Sequence, residues 1–251
     1  MKKKILIVVH TNTWFTEMER VTDLVMNSAN FIPCVHFAYS YPTIDKDINK
    51  LKSKGISFTT SIKEIHFEIP TSFYSKLFWV ANNYAERFFK FRKIWRYFVN
   101  KLNPVIAPLT GIFKSLEDIQ YYQKLIRDLN ISAVVMGGDL VGYNTPEIVK
   151  AAYKMKTACV IVPSTMSDGT EQAEAYFFDP NFSADKPINR FAGWLWPKWK
   201  KYHKGKWLVR VPGPQIFNRQ LLKLDPPLPW ISSSTRADAI AVESKAMRDY
   251  Y

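Results

Sequence analysis

The sequence predicts an α/β fold in which a parallel sheet is flanked by helices, and three observations carry that prediction. Residues 3–10 (KKILIVVH) are a short apolar run of the kind found in strands buried on both faces. Strand-like and helix-like segments alternate along the first sixty residues, the mark of βαβ units with right-handed crossovers. Residues 131–162 then spell out a complete strand, turn, helix and strand. With 251 residues, 47% hydrophobic and 23% charged, the chain has an ordinary globular composition, which excludes a disordered or fibrous protein.

The elements follow in order. After the first strand and the polar turn Thr11, Asn12, Thr13, the spacing of Phe15, Met18, Val21 (or Thr22) and Val25 predicts a helix capped by Thr13 or Asn12. Residues 31–39 read as a second strand. Residues 43–54 read as a helix closed by Gly55, and residues 56–58 as a third, short strand. A long helix is predicted over residues 74–101, broken at Asn103 and Pro104. A separate helix over residues 115–130 carries a weak capping box in Ser115 and Asp118. Strand 131–136, the Gly137-Gly138-Asp139 turn, helix 145–156 with Pro146 in its first turn, and strand 157–162 come next. The polar stretch SDGTEQAEAYF reads as turn then helix. Beyond Asp179 the chain is rich in Pro, Trp and Lys and reads as irregular. A strand over residues 207–211, a helix over 214–224, a strand over 237–242 and a helix begun at 244–251 complete the reading. Residues 1–236 are expected to form one domain. Residues 237–251 are expected to open a linker or second domain, because the last helix stops without a capping signal.

The formal net charge is +13, and it is concentrated. Residues 76–101 carry seven Lys/Arg against Glu86 alone, and residues 190–223 carry nine Lys/Arg and no acid. Both segments are also aromatic. Three readings fit such a mixture: a helix with a core stripe and a solvated basic face, a membrane-surface patch, or a nucleic-acid surface. For the second segment the membrane ranks above nucleic acid, because four Trp in a Pro-interrupted stretch suit an interfacial loop. The expected membrane contacts are Lys90, Arg92, Lys93, Trp95 and Arg96 in the first segment, and Trp194, Trp196, Lys198, Trp199, Lys200 and Lys201 in the second.

Cys34 and Cys159 sit in apolar runs and read as buried thiols, not a disulfide framework. The apolar run after the basic start is too short for a signal peptide, and no long apolar stretch follows. A cytoplasmic location, peripheral at the inner membrane face, is expected.

KKILIVVHTNTWFTEMERV, ISAVVMGGDLVGYNTPEIVKAAYKMKTACVIVPST and RADAIAVESKAMRDYY resemble, in order, parts of the N-terminal half of GT-B-fold proteins. These include bacterial surface-polysaccharide glycosyltransferases and the related UDP-N-acetylglucosamine 2-epimerases. The resemblance implies a Rossmann-like N-terminal, acceptor-side domain carrying an irregular basic aromatic insertion. It implies no cofactor in this domain, with the nucleotide-sugar donor held mainly by a C-terminal domain.

Ligands of an open parallel sheet bind at the carboxyl ends of its strands. Three loops should therefore meet there: residues 10–14, 137–144 and 163–171. Asp139 either caps its turn or acts as a general base or sugar ligand, since the resemblance places a Gly-Asp pair of the epimerases in their cleft. Gly137 and Gly138 would let the backbone approach a ligand. Glu171 matches a catalytic glutamate of the epimerases in position only, without its motif. His10 either is satisfied in the sheet or serves as base or phosphate ligand. Glu17 could face the cleft, while Glu19 fits a favourable place in a first helical turn. Thr11, Asn12, Thr13, Ser164, Thr165 and Asp168 complete the expected substrate contacts, although Ser167-Asp168-Gly169 is also ordinary turn chemistry. His10, His36, His66 and His203 lack metal-site spacing, and no P-loop, GxGxxG or GxSxG motif is present.

The sequence thus points to an acceptor-binding domain of a glycosyltransferase in surface-polysaccharide synthesis. Its expected partners are a glycan or lipid-linked acceptor and an anionic membrane, with nucleic acid ranked behind them. A sugar-nucleotide 2-epimerase and a non-catalytic membrane- or RNA-binding domain are the alternatives.

Overall fold

A computed structural model describes residues 2–61, 92–138, 142–163, 168–232, 236–242, 245 and 248, with the side chains of residues 92–109 outside the description. The sheet is built from β1 (Lys3–Val9), β2 (Phe31–Phe37), β3 (Ser57–Thr60), β4 (Ile131–Met136), β5 (Ala158–Ile161) and β8 (Ala239–Ile240). Its order is β3-β2-β1-β4-β5-β8 with every pair parallel, which is a Rossmann-like arrangement. The order reverses between β1 and β4, so the switch point lies there.

Helices α1 (Asn12–Met26) and α2 (Ile44–Ser53) cover one face; α3 (Arg92–Asp128) and α4 (Thr145–Lys154) cover the other. The alternation of β1 sets this division. Ile5, Ile7 and Val9 point to a core with Phe15, Met18, Phe37 and Leu51, while Leu6 and Val8 point to a core with Ile119, Tyr122, Ile126 and Ile148. A strand packed on both sides must be apolar throughout, which is why residues 3–10 read as they do. Cys34 and Cys159 are buried and form no disulfide.

Several expectations change. Helix α1 begins at Asn12 with Thr11 at its N-cap, so neither Asn12 nor Thr13 caps it. Glu17 and Glu19 therefore stand beyond the first turn. Glu19 instead ties α1 to α2 through Lys50 (2.6 Å) and Lys54 (2.8 Å). The chain does not break at Asn103 and Pro104: α3 runs unbroken through both and through Pro108 to Asp128. A proline removes one backbone donor and costs a few kcal/mol, which a long helix absorbs. Ser115 is consequently mid-helix, and its hydroxyl serves tertiary contacts, not a cap. The part of the expected helix at residues 74–91 lies outside the described residues, as does most of residues 244–251.

The stretch beyond Asp179 is ordered, not irregular. Helix α5 (Gly169–Ala175) is followed by α6 (Pro187–Leu195), the antiparallel hairpin of β6 (Lys200–His203) and β7 (Lys206–Val209), and α7 (Gly213–Leu221). Ala184, Ala192, Trp199, Val209, Val211 and Ile216 form its own small core. Asn189, 1% exposed, ties this unit together. Its Nδ2 donates to the carbonyls of Asn181 (2.9 Å) and Ser183 (2.8 Å), and its Oδ1 accepts the Gly213 amide (2.7 Å). Among the described residues, no helix is long and apolar enough to cross a membrane.

Candidate functional site

His10 follows β1 at the switch point and is 1% exposed. It is ringed by Trp14 (4.8 Å between centroids), Tyr39 (5.7 Å) and Tyr143 (5.7 Å). Trp14 is buried, whereas Tyr39 and Tyr143 reach solvent and form the outer side of the cluster. Asn144 organises the polar contacts. Its amide nitrogen donates to the Tyr122 hydroxyl (3.0 Å), its backbone N–H donates to the Tyr39 hydroxyl (3.2 Å), and its Oδ1 lies 2.9 Å from His10 Nε2. With the Asn144 amide so oriented, His10 carries its proton on Nε2 and donates it to Oδ1. Nδ1 is left as a buried lone pair with no partner among the described residues.

Burial outweighs the Asn144 hydrogen bond and, with a small repulsion from His36, lowers the His10 pKa to about 3. His36, wholly buried on β2, is lowered to about 4 by burial alone. Its Nδ1 meets the Thr59 hydroxyl at 2.8 Å. Burial, then the charge of Asp118, pushes Tyr39 up to about 12. At neutral pH the cluster is therefore uncharged: two neutral imidazoles among phenols and an indole.

Behind it lies a buried polar group. The Ser115 hydroxyl donates to Glu147 Oε1 (2.7 Å) and accepts from Asn218 Nδ2 (3.0 Å), and Arg219 donates to the Tyr143 carbonyl (3.2 Å). Helix α7 thus fixes the Tyr143 segment that packs on His10.

The expected site residues separate on this frame. Thr11, Asn12, Thr13, Gly137 and Gly138 do lie at the carboxyl edge around His10. Thr11 and Thr13 share a hydroxyl hydrogen bond of 2.8 Å. Gly137 makes room for a side chain: a Cβ there would stand 3.2 Å from the Trp14 ring, so this glycine lets the indole pack on the end of β4. Glu17 forms a surface ion pair with Arg20 (3.1 Å). Asp168 caps α5, accepting from the amides of Thr170 (2.7 Å) and Glu171 (2.9 Å), and these bonds hold its carboxyl below the usual range. Glu171 is exposed in the first turn of that helix. Asp139, Ser164 and Thr165 lie outside the described residues.

Of the expected membrane contacts, Trp199 is wholly buried and is a core residue, not a surface anchor. Trp196 is half-buried against the same core. Lys198 clasps Asp225, and Lys201 stands beside Asp168. Trp194 is 68% exposed, and Lys200 lies over the ring of the exposed Trp207 (5.3 Å). Lys90 is outside the description, as are the side chains of Arg92, Lys93, Trp95 and Arg96.

Sequence reasoning placed Trp14, Tyr143 and Asn144 only within loops expected to meet, without singling them out, and missed Tyr39 and Tyr122. The switch-point rule was the signal for the first three; Tyr39 ends the second predicted strand and Tyr122 lies inside a predicted helix. Among the described residues, no three His, Cys, Asp or Glu side chains stand together as a metal site. Comparison of the chain with protein-family models, with curated proteins and with solved structures found no match.

Proposed function

We propose that this chain binds a hydroxylated sugar at the carboxyl edge of its sheet, as the acceptor-side domain of a glycosyltransferase. The observation that carries this reading is His10: a neutral imidazole with a free Nδ1 lone pair, at the switch point, among aromatic rings. Aromatic faces receive the C–H faces of sugar rings, and Nδ1 can accept a sugar hydroxyl. The Nε2–H to Asn144 bond fixes the tautomer that leaves the Nδ1 lone pair buried and unpartnered among the described residues. A group with so low a pKa is a hydrogen-bond acceptor at rest. An anionic leaving group brought against it would raise its proton affinity and let it take the hydroxyl proton.

The surface of the insertion supports peripheral membrane attachment in the same reading. Phe191 and Trp194 on α6 are exposed, and Gly193 brings α6 against Lys200 on β6. Lys200 in turn lies beside Trp207 and Tyr202. Aromatic rings mixed with lysine suit the headgroup layer.

The test is calorimetric titration with oligosaccharide acceptors and nucleotide sugars, followed by an assay for glycosyl transfer. Saturable glycan binding that is lost in His10→Gln and Tyr143→Ala supports the reading. Absence of glycan binding and of transfer by the wild type overturns it. Conversion of UDP-N-acetylglucosamine at C2 would favour the epimerase alternative. Sedimentation with anionic vesicles that survives Trp194→Ala together with Trp207→Ala would remove the membrane patch.

A further inference from the structure

A cleft runs along α4 from Pro146 to Lys154. The carboxyl half of α4 leads into the start of β5, and Arg236 precedes β8, so the Lys154 and Arg236 end of the cleft lies toward the amino edge of the sheet. The cleft, of about 490 Å³, is lined by Lys150 and Lys154 of α4, by Lys223, Asp225 and Pro226 after α7, and by Arg236. Its volume falls in the range of small-molecule sites.

The charges in this cleft do not cancel. Asp225, 6% exposed, is already held by Lys198 and by Arg236 (3.3 Å). Lys154 and Lys223 have no acidic partner among the described residues. Lys150 gives one hydrogen bond to a neutral acceptor, the Leu222 carbonyl (2.6 Å). Lys150 is lowered by burial, and then by the charges of Lys154, Lys223 and Arg236. Three ammonium groups thus converge beside a neutralised carboxylate. An anion entering the cleft would offset their mutual repulsion. The remaining walls are apolar: Val149 and Leu224 are buried at the base, and Tyr153 is 79% exposed at the rim.

We propose that this cleft is a binding site for a phosphate ester, its phosphoryl oxygens held by Lys150, Lys154 and Lys223 and its organic part lying along Tyr153 and Leu224. Lysine serves here as a compact point charge for phosphate. The same chemistry could be offered by a soluble organic phosphate or by a phospholipid headgroup. The proposal is independent of the sugar site at His10.

The test uses the intact chain and two soluble probes, inorganic pyrophosphate and adenosine diphosphate, measured by calorimetry. Vesicles of phosphatidylcholine with and without phosphatidylserine form the second arm. Lys154→Gln and Lys223→Gln change exposed side chains and leave the fold in place, with Lys46→Gln on α2 as a charge-matched control. Saturable binding that weakens about tenfold per lysine removed, the worth of one charge-assisted hydrogen bond, supports the site. Binding should be unchanged in Lys46→Gln and in His10→Gln. Capture by anionic vesicles alone, lost in the same two variants and not in Lys46→Gln, identifies the headgroup as the source. No binding in either arm, or equal weakening by Lys46→Gln, overturns the proposal, because the charge would then be diffuse.

Discussion

Replacing His10 with glutamine separates the pH dependence of this fold into contributions that can be counted. A histidine in the unfolded chain titrates near 6.5, whereas burial lowers folded His10 to about 3. As pH falls below 6.5 the unfolded state takes up the proton first. His10 therefore contributes its full share of stability above that pH and loses it progressively down to about 3. Each pH unit across that interval is worth about 1.4 kcal/mol, so by about pH 5 His10 has cost the fold about 2 kcal/mol. His36, lowered to about 4, adds a loss of about 2 kcal/mol over the same range. The assay is urea denaturation at about pH 7.5 and about pH 5. The wild type should lose about 4 kcal/mol from these two residues, and His10→Gln should lose about half as much, carboxylate contributions being common to both. The chain has four histidines, so four imidazole Cε1–H resonances give a direct second reading. Equal acid slopes in wild type and His10→Gln, or a His10 resonance titrating near 6.5, would refute the burial argument.

Asn189→Ala should destabilise the protein by about 1–3 kcal/mol in chemical denaturation, mostly from the orphaned Gly213 amide. Gly213→Ala should cost about 1–3 kcal/mol, because its Cβ would stand 2.6 Å from the Ile188 carbonyl oxygen, which is backbone and cannot swing aside; a melting temperature equal to wild type would contradict this. Lys54→Ala should cost only about 1 kcal/mol, as the group is partly exposed. That loss should shrink as pH falls through the carboxylate range: burial raises the Glu19 carboxyl, but Lys50 and Lys54 outweigh it and hold the pKa down, so the stabilisation is present above the ordinary pKa and lost in acid. Matched denaturation curves at neutral and acid pH check the sign.

The parallel sheet and most of its elements were legible in the chain, because they rest on local signals. An apolar run such as ILIVV suits a strand covered on both faces and little else, and Ile131–Met136 matches the predicted strand end to end. The polar stretch SDGTEQAEAYF read as turn then helix, and α5 lies within it, although Asp168 as its cap emerged only from the fold. The strand ends that carry His10 and Gly137 were placed by the same logic. What the sequence could not show is which side chains those ends meet. Asn144 stands 134 positions from His10, and the hydrogen bond between them fixes the tautomer. No local pattern encodes that separation. Trp199 reads like Trp194 in a run of Trp and Lys, yet one is a core residue and the other a surface one. Only the packing of α6, the hairpin and α7 decides between them. The length of α3 is of the same kind: prolines lower local helix propensity, but they do not set it against the whole fold. The sequence by itself determined the α/β class and the order of the parallel sheet's strands along the chain, because backbone hydrogen bonding and burial pattern are local. Tertiary structure alone decided which imidazole is stripped of water, which tryptophan is covered and which lysines converge, because those depend on distances between segments far apart in the chain.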